Sequence, residues 1–114
     1  MQLPYAEEAR VPKAKITEFL LDPEHEYAGP RAAFFIERGF RVEAWELLAE
    51  ALREHAVSHD VAETADRKGG TNYVIEGRLR IPGGGRTNLP VRTVWKIDMG
   101  RKVPRLITAH PVSS

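Results

Sequence analysis

The chain has 114 residues, enough for one hydrophobic core and too few for two, and its 42% hydrophobic and 29% charged content is ordinary for a globular domain. It has no cysteine, which excludes disulfides and thiolate catalysis. The net charge of +1 conceals a division: residues 1–64 hold 7 Lys and Arg against 13 Asp and Glu, and residues 65–114 hold 10 against 3. A basic half of this kind suits an anionic partner, or else the acidic half is merely the solvated glutamates of helices. No apolar run approaches a membrane span, and "MQLPYAEEAR" is acidic without a signal-peptide core, so the expectation is a cytoplasmic protein with no membrane partner.

"VPKAKITEFLLD" predicts a first helix, with Pro12 near its first turn and Ile16, Phe19 and Leu20 at helical spacing. "PEHEYAGP" is a loop bounded by prolines. "PRAAFFIERGF" reads as a short second helix, opened by Pro30 and closed by Gly39 as a left-handed cap. "RVEAWELLAEALREHA" gives the clearest helix, with Trp45, Leu48, Ala49, Leu52 and Ala56 on one stripe and Glu43, Glu46, Glu50 and Glu54 solvated. After residue 57 the period changes from about 3.6 to 2. "VSHDVAET" reads as a strand and "DRKGG" as a turn. "TNYVIEGRLRI" turns Tyr73, Ile75, Leu79 and Ile81 one way and Asn72, Glu76, Arg78 and Arg80 mostly the other. "PGGGRTN" is a flexible hairpin loop; no Lys-Ser/Thr and no helix follow it, as a phosphate-cradling loop requires. "VRTVWKID" points Val91, Thr93, Trp95 and Ile97 inward and Arg92, Lys96 and Asp98 outward. "VPRLITAH" is the last strand, and Pro104 sets its start at an edge or bulge. The expected architecture is a single α+β domain over 1–114. A helical half (1–56) covers one face of an antiparallel sheet of about four strands (57–114) and leaves the other face open.

On the open face Arg78, Arg80, Arg92 and Lys96 come from strands about 4.8 Å apart. Such crowding is relieved by an anion, a phosphate backbone above all, or by Glu76 and Asp98. The alternative is that the cations only discourage edge-to-edge association. Among the histidines, His55 and His59 are four apart but straddle a helix end without an HExxH pattern, so no zinc site is expected. His25 lies in the proline-bounded loop, and His59 and His110 lie on strands near the basic face. There is no metal cluster, cofactor fingerprint, paired-carboxylate site or Ser-His-Asp order. Metal-free RNA cleavage needs only a base for the 2′-hydroxyl proton, an acid for the leaving 5′-oxygen and cations for the phosphorane, and this chain holds all three.

The segments "LPYAEEARVPKAKITEFLLDPEHEYAGPRAAFF", "GTNYVIEGRLRIPGG" and "VRTVWKIDMGRKVPRLITAHP" resemble a bacterial domain-of-unknown-function family. Its members are short stand-alone proteins or the C-terminal tips of polymorphic toxins. The order of helices then sheet is also similar to that of small ribonucleases such as barnase, RelE-type toxins and colicin nucleases. The family pattern matches at Lys15, His25, Tyr73, Arg92, Thr93, Trp95, Arg105 and Thr108. His110 stands where relatives commonly carry tyrosine, which argues against an obligatory base there, and Arg31 stands where lysine is usual. The family name itself carries no activity; the residues, with the likeness to small ribonucleases, lead to the expectation of a metal-independent, cofactor-free, toxin-like endoribonuclease with RNA as partner. In it His25 is the acid or base, Arg92 and Arg105 hold the phosphate, Thr108 and Tyr73 orient the reacting group, and Lys15 is an alternative proton donor. Arg78, Arg80, Lys96 and Arg105 would bind the nucleic acid. One alternative is a non-catalytic nucleic-acid- or protein-binding module of a toxin–antitoxin or immunity system. Another is an immunity-like protein that meets its partner through Glu46 and Glu50. Arg105 and Thr108 differ by three in a strand and so point to opposite faces, unless a bulge near Pro104 changes the register.

Overall fold

The structure, a computed structural model, describes residues 1–112; positions 113 and 114 of the expected sheet half lie outside the described residues. A 3-10 turn (Ala6–Glu8) precedes α1 (Lys13–Lys15), which runs on as a π-helical turn over Ile16–Leu20. Then come α2 (Gly29–Glu37), a 3-10 turn (Val42–Ala44) and α3 (Trp45–Ser58). Four strands follow: β1 (Val61–Arg67), β2 (Gly70–Arg80), β3 (Arg86–Asp98) and β4 (Arg105–Pro111). They form one antiparallel sheet in the order β1-β2-β3-β4. The fold is therefore α+β, N-terminal helices then C-terminal sheet, as the change of period implies.

Local chemistry accounts for the helix ends. Pro30 sits in the first turn of α2, where its missing N–H costs nothing. The helix ends in a Schellman motif: Phe40 N–H donates to Phe35 O and Gly39 N–H to Ile36 O, with Gly39 at φ 105°. The Phe35 and Phe40 rings meet edge to face across this turn, adding the apolar contact that accompanies such caps. The core lies between Ile16, Leu20, Phe35, Leu48 and Leu52 of the helices and Ile75, Leu79, Val91, Trp95, Leu106 and Ala109 of the sheet.

The sequence pattern ends the last helix near residue 56, yet α3 continues to Ser58, and only Val61 to Thr64 of the expected strand "VSHDVAET" are extended. His55 explains this. Its ring is fully buried, and its Nε2 lies 3.0 Å from Gly77 O and 2.9 Å from Val91 O. Two carbonyls can only accept, so Nε2 carries the proton and Nδ1 is the acceptor. Thr93 donates its hydroxyl to Nδ1 at 3.4 Å and accepts from Trp95 Nε1 at 2.9 Å. Burial, with the neighbouring His59 as a lesser cause, pushes the His55 pKa down to about 4, so the ring is neutral at pH 7. The Thr-x-Trp pair of β3 and the end of α3 are thus joined by one satisfied polar chain inside the core. Beside it, the His59 ring lies over Gly77, where a Cβ would stand 2.3 Å from the imidazole. Glycine is required there by the close approach.

β4 departs from simple alternation. Val94 pairs with Thr108 but Trp95 pairs with Leu106, which leaves Ile107 as an extra residue. The bulge falls three residues after Pro104. It lets Leu106 and Ala109 both face the core and, by register, sets Arg105 and Thr108 together on the opposite face.

Candidate functional site

The helices pack on the face that carries Ile75, Thr93 and Trp95, so the opposite face is built from the alternate residues of β2, β3 and β4. The pairings Glu76↔Arg92 and Arg92↔His110 place a carboxylate, a guanidinium and an imidazole in one row across three strands. At about 4.8 Å between strands, Arg92 touches the space of both neighbours, and the outer two groups flank it roughly 10 Å apart. Arg92 Nε and Nη2 both engage Glu76 Oε2, and among the described residues no bond claims Nη1. His110 Nδ1 lies 3.1 Å from Pro111 O, an acceptor only, so Nδ1 holds a proton and Nε2 is the nitrogen left for other partners.

A second row, Asn72, Lys96 and Arg105, lies four residues further along β3. Lys96 Nζ donates to Lys68 O at 2.9 Å. Arg105 grips Asp98 with two bonds, 2.8 and 3.2 Å long. That clasp holds the Asp98 carboxyl below its usual range and raises the guanidinium further. Between the rows lies Thr108, whose Oγ1 accepts from Arg31 Nη1 of α2 at 2.8 Å.

Of the residues singled out in the sequence, Arg92, Lys96, Arg105 and Thr108 are brought onto this face. Arg78 is exposed and donates to Thr87 O at 2.6 Å. Arg80 leaves the row, because the register shifts between Arg78 and Arg80. Its charge lies near Glu54 of α3, which Arg86 clasps bidentately at 2.9 and 3.1 Å and holds down at a pKa of about 2. Tyr73 pairs with Trp95 and packs against the core, on the other side of the sheet from Arg92. His25 belongs to the helical layer. Its Nδ1 accepts the N–H groups of Tyr27 and Ala28, both at 3.1 Å, and its ring stands edge-on to Phe19 at 4.8 Å. It caps the approach to α2 and does not meet Arg92. Lys15 also lies in this layer, its ammonium 5.0 Å from the Phe19 ring. Its pKa is lowered by burial and then by the charge of Arg105.

Glu76 and His110 are the members of the row to which sequence reasoning gave no catalytic role. Glu76 is legible as a partner for the crowded cations and His110 as a histidine near them, on outward parity in β2 and β4. Alternation does not say which outward residues stand side by side.

Helices on one face of a four-stranded meander, with a row of acid, cation and imidazole on the other, define a small α+β domain with one open, charged sheet face. The chain belongs to the family described as a domain of unknown function, DUF6883, whose model matches residues 2–113. It shares its fold with a chain of the contact-dependent growth inhibition toxin–immunity protein complex from Klebsiella pneumoniae 342. The TM-score is 0.68 at 13% identity, over 96% of this chain and 98% of that one. Comparison with curated proteins gave no match. Among the described residues, no helix is long and apolar enough to cross a membrane.

Proposed function

We propose that this protein is a metal-independent endoribonuclease of a toxin–immunity system, with Glu76, Arg92 and His110 as its reaction centre. The observation that carries the reading is the register of these three residues across β2, β3 and β4. Cleavage by 2′-hydroxyl attack needs a base and an acid on opposite sides of the phosphorus, with positive charge between them. Glu76 takes the 2′-hydroxyl proton as the 2′-oxygen bonds to phosphorus. His110, anchored through Nδ1 and entering the step as the doubly protonated imidazolium, gives its Nε2 proton to the departing 5′-oxygen as that bond breaks. Arg92 turns its remaining donors to the phosphorane oxygens. The products are a 2′,3′-cyclic phosphate and a 5′-hydroxyl. Thr108 lies two residues from His110 on the same strand, hence on the same face, and orients the phosphate. As an acid, His110 can be replaced by tyrosine more readily than a base could, because a phenol also donates a proton. The fold shared with a chain of a toxin–immunity complex supports a role on one side of such a system, with a protein as partner.

His110→Ala and Glu76→Gln should each lower kcat on a single-stranded RNA by roughly 10²–10⁴-fold, and Arg92→Ala should lower kcat/KM by roughly 10²-fold or more. Far-UV circular dichroism should stay unchanged, because all three side chains lie outside the core. RNA binding with no cleavage by the wild type would replace this reading with a non-catalytic binding module.

A further inference from the structure

An open groove of about 650 Å³ lies where the β3–β4 turn meets the N-terminal segment, lined by Glu8, Arg10, Asp98, Arg101, Lys102 and Arg105. Arg10 is held there by backbone pairing with β4: its N–H donates to Pro104 O at 2.8 Å and its carbonyl accepts from Leu106 N–H at 2.9 Å. Four cations thus face two carboxylates. Among the described residues the Asp98 carboxylate bonds only Arg105, while the charges of Lys96 and Arg101 also act on it. Four cations against two carboxylates leave uncompensated positive charge. Arg101, Lys102 and Arg10 are exposed, and among the described residues no ion pair engages them.

The groove shares Arg105 with the sheet face that carries the reaction row. Lys96 and Arg105 are paired across β3 and β4, and from Arg92 to Lys96 the strand rises about 13 Å. We infer that the Arg10–Arg101–Lys102 groove is a distal phosphate-binding site that holds the backbone of single-stranded RNA running along β4 from Arg92. The inference rests on the ribonuclease reading for its substrate, and it makes the enzyme one that prefers a strand several nucleotides long to a dinucleotide. A flexible single strand fits because the cations follow the bent path from strand to turn. They also sit on exposed side chains suited to phosphates, contacts that carry no sequence information.

The test is the double variant Arg101→Ala/Lys102→Ala, with two readouts. The first is affinity for an uncleavable 2′-O-methyl decanucleotide as a function of salt. Loss of two phosphate contacts should make the slope of log K against log salt shallower by about 1.4. The second is kcat/KM, expected to fall about tenfold on a decaribonucleotide and to stay unchanged on a dinucleotide. An unchanged slope overturns the groove, whether or not the wild type cleaves RNA. If the wild type cleaves neither substrate but the variant's slope still falls, the groove stands and the catalytic reading fails alone.

Discussion

The buried His55 predicts a stability loss in mild acid. In the unfolded chain its imidazole takes up a proton near pH 6.5, whereas in the folded protein it stays neutral down to about pH 4. Between those values the unfolded state binds more protons, so stability rises with pH across the window. Stability is complete above about 6.5 and falls progressively as pH drops through the folded-state value. At roughly 1.4 kcal/mol for each pH unit, the interval from 6.5 to about 4 corresponds to about 3 kcal/mol. That is a large share of the roughly 5–15 kcal/mol that holds a domain together. The main cause is burial, which denies a charged ring its water; a proton on Nδ1 would also face Thr93 Oγ1, whose own hydrogen would have to turn away from it in the core. The assay is urea unfolding followed by the fluorescence of buried Trp95, at several pH values between 7 and 4, for the wild type and His55→Gln. The variant is less stable throughout but lacks this titration, so the difference between the two curves should shrink by about 3 kcal/mol on acidification. Parallel losses in both proteins would refute the reasoning.

Two further predictions concern the same framework. Thr93→Val keeps the side-chain shape but strips His55 Nδ1 and Trp95 Nε1 of their partner, and each orphaned group should cost roughly 1–3 kcal/mol, read as a lower urea midpoint. His25→Ala removes the acceptor for the Tyr27 and Ala28 N–H groups and should cost roughly 0.5–2 kcal/mol, as loss of a helix cap does, while RNA cleavage stays within a few fold of wild type. A collapse of cleavage in folded His25→Ala would return the reaction centre to the α2 loop.

Much of the fold is legible because its signals are local. Pro30 and Gly39 bracket α2, the stripe from Leu48 to Ala56 marks α3, and alternation in β2 and β3 correctly turns Ile75, Thr93 and Trp95 inward. What escapes is whatever depends on pairing between distant segments. His55 looks like half of a spaced histidine pair near a helix end; its burial follows only from the carbonyls of Gly77 and Val91 converging on it. Pro104 signals an edge or bulge at the start of β4, but only the pairing places the extra residue at Ile107 and so decides that Arg105 and Thr108 share a face. Charge crowding on the sheet is visible in sequence as Arg78, Arg80, Arg92 and Lys96. Its resolution into the Glu76–Arg92 and Asp98–Arg105 pairs requires the register. His25 is prominent as a loop histidine, but the N–H groups that claim its Nδ1 belong to the turn it closes, and sequence pattern alone does not distinguish a cap from a catalyst there.

The central claim is that the β2–β3–β4 row cleaves RNA without a metal. The most direct measurement is the chemistry of the ends produced when the protein meets a single-stranded RNA in the presence of a chelator. The account predicts 2′,3′-cyclic phosphate and 5′-hydroxyl ends, absent with His110→Ala and absent from a strand whose 2′-hydroxyls are methylated. Cleavage that persists in His110→Ala, or intact RNA recovered from a wild-type complex, would contradict it.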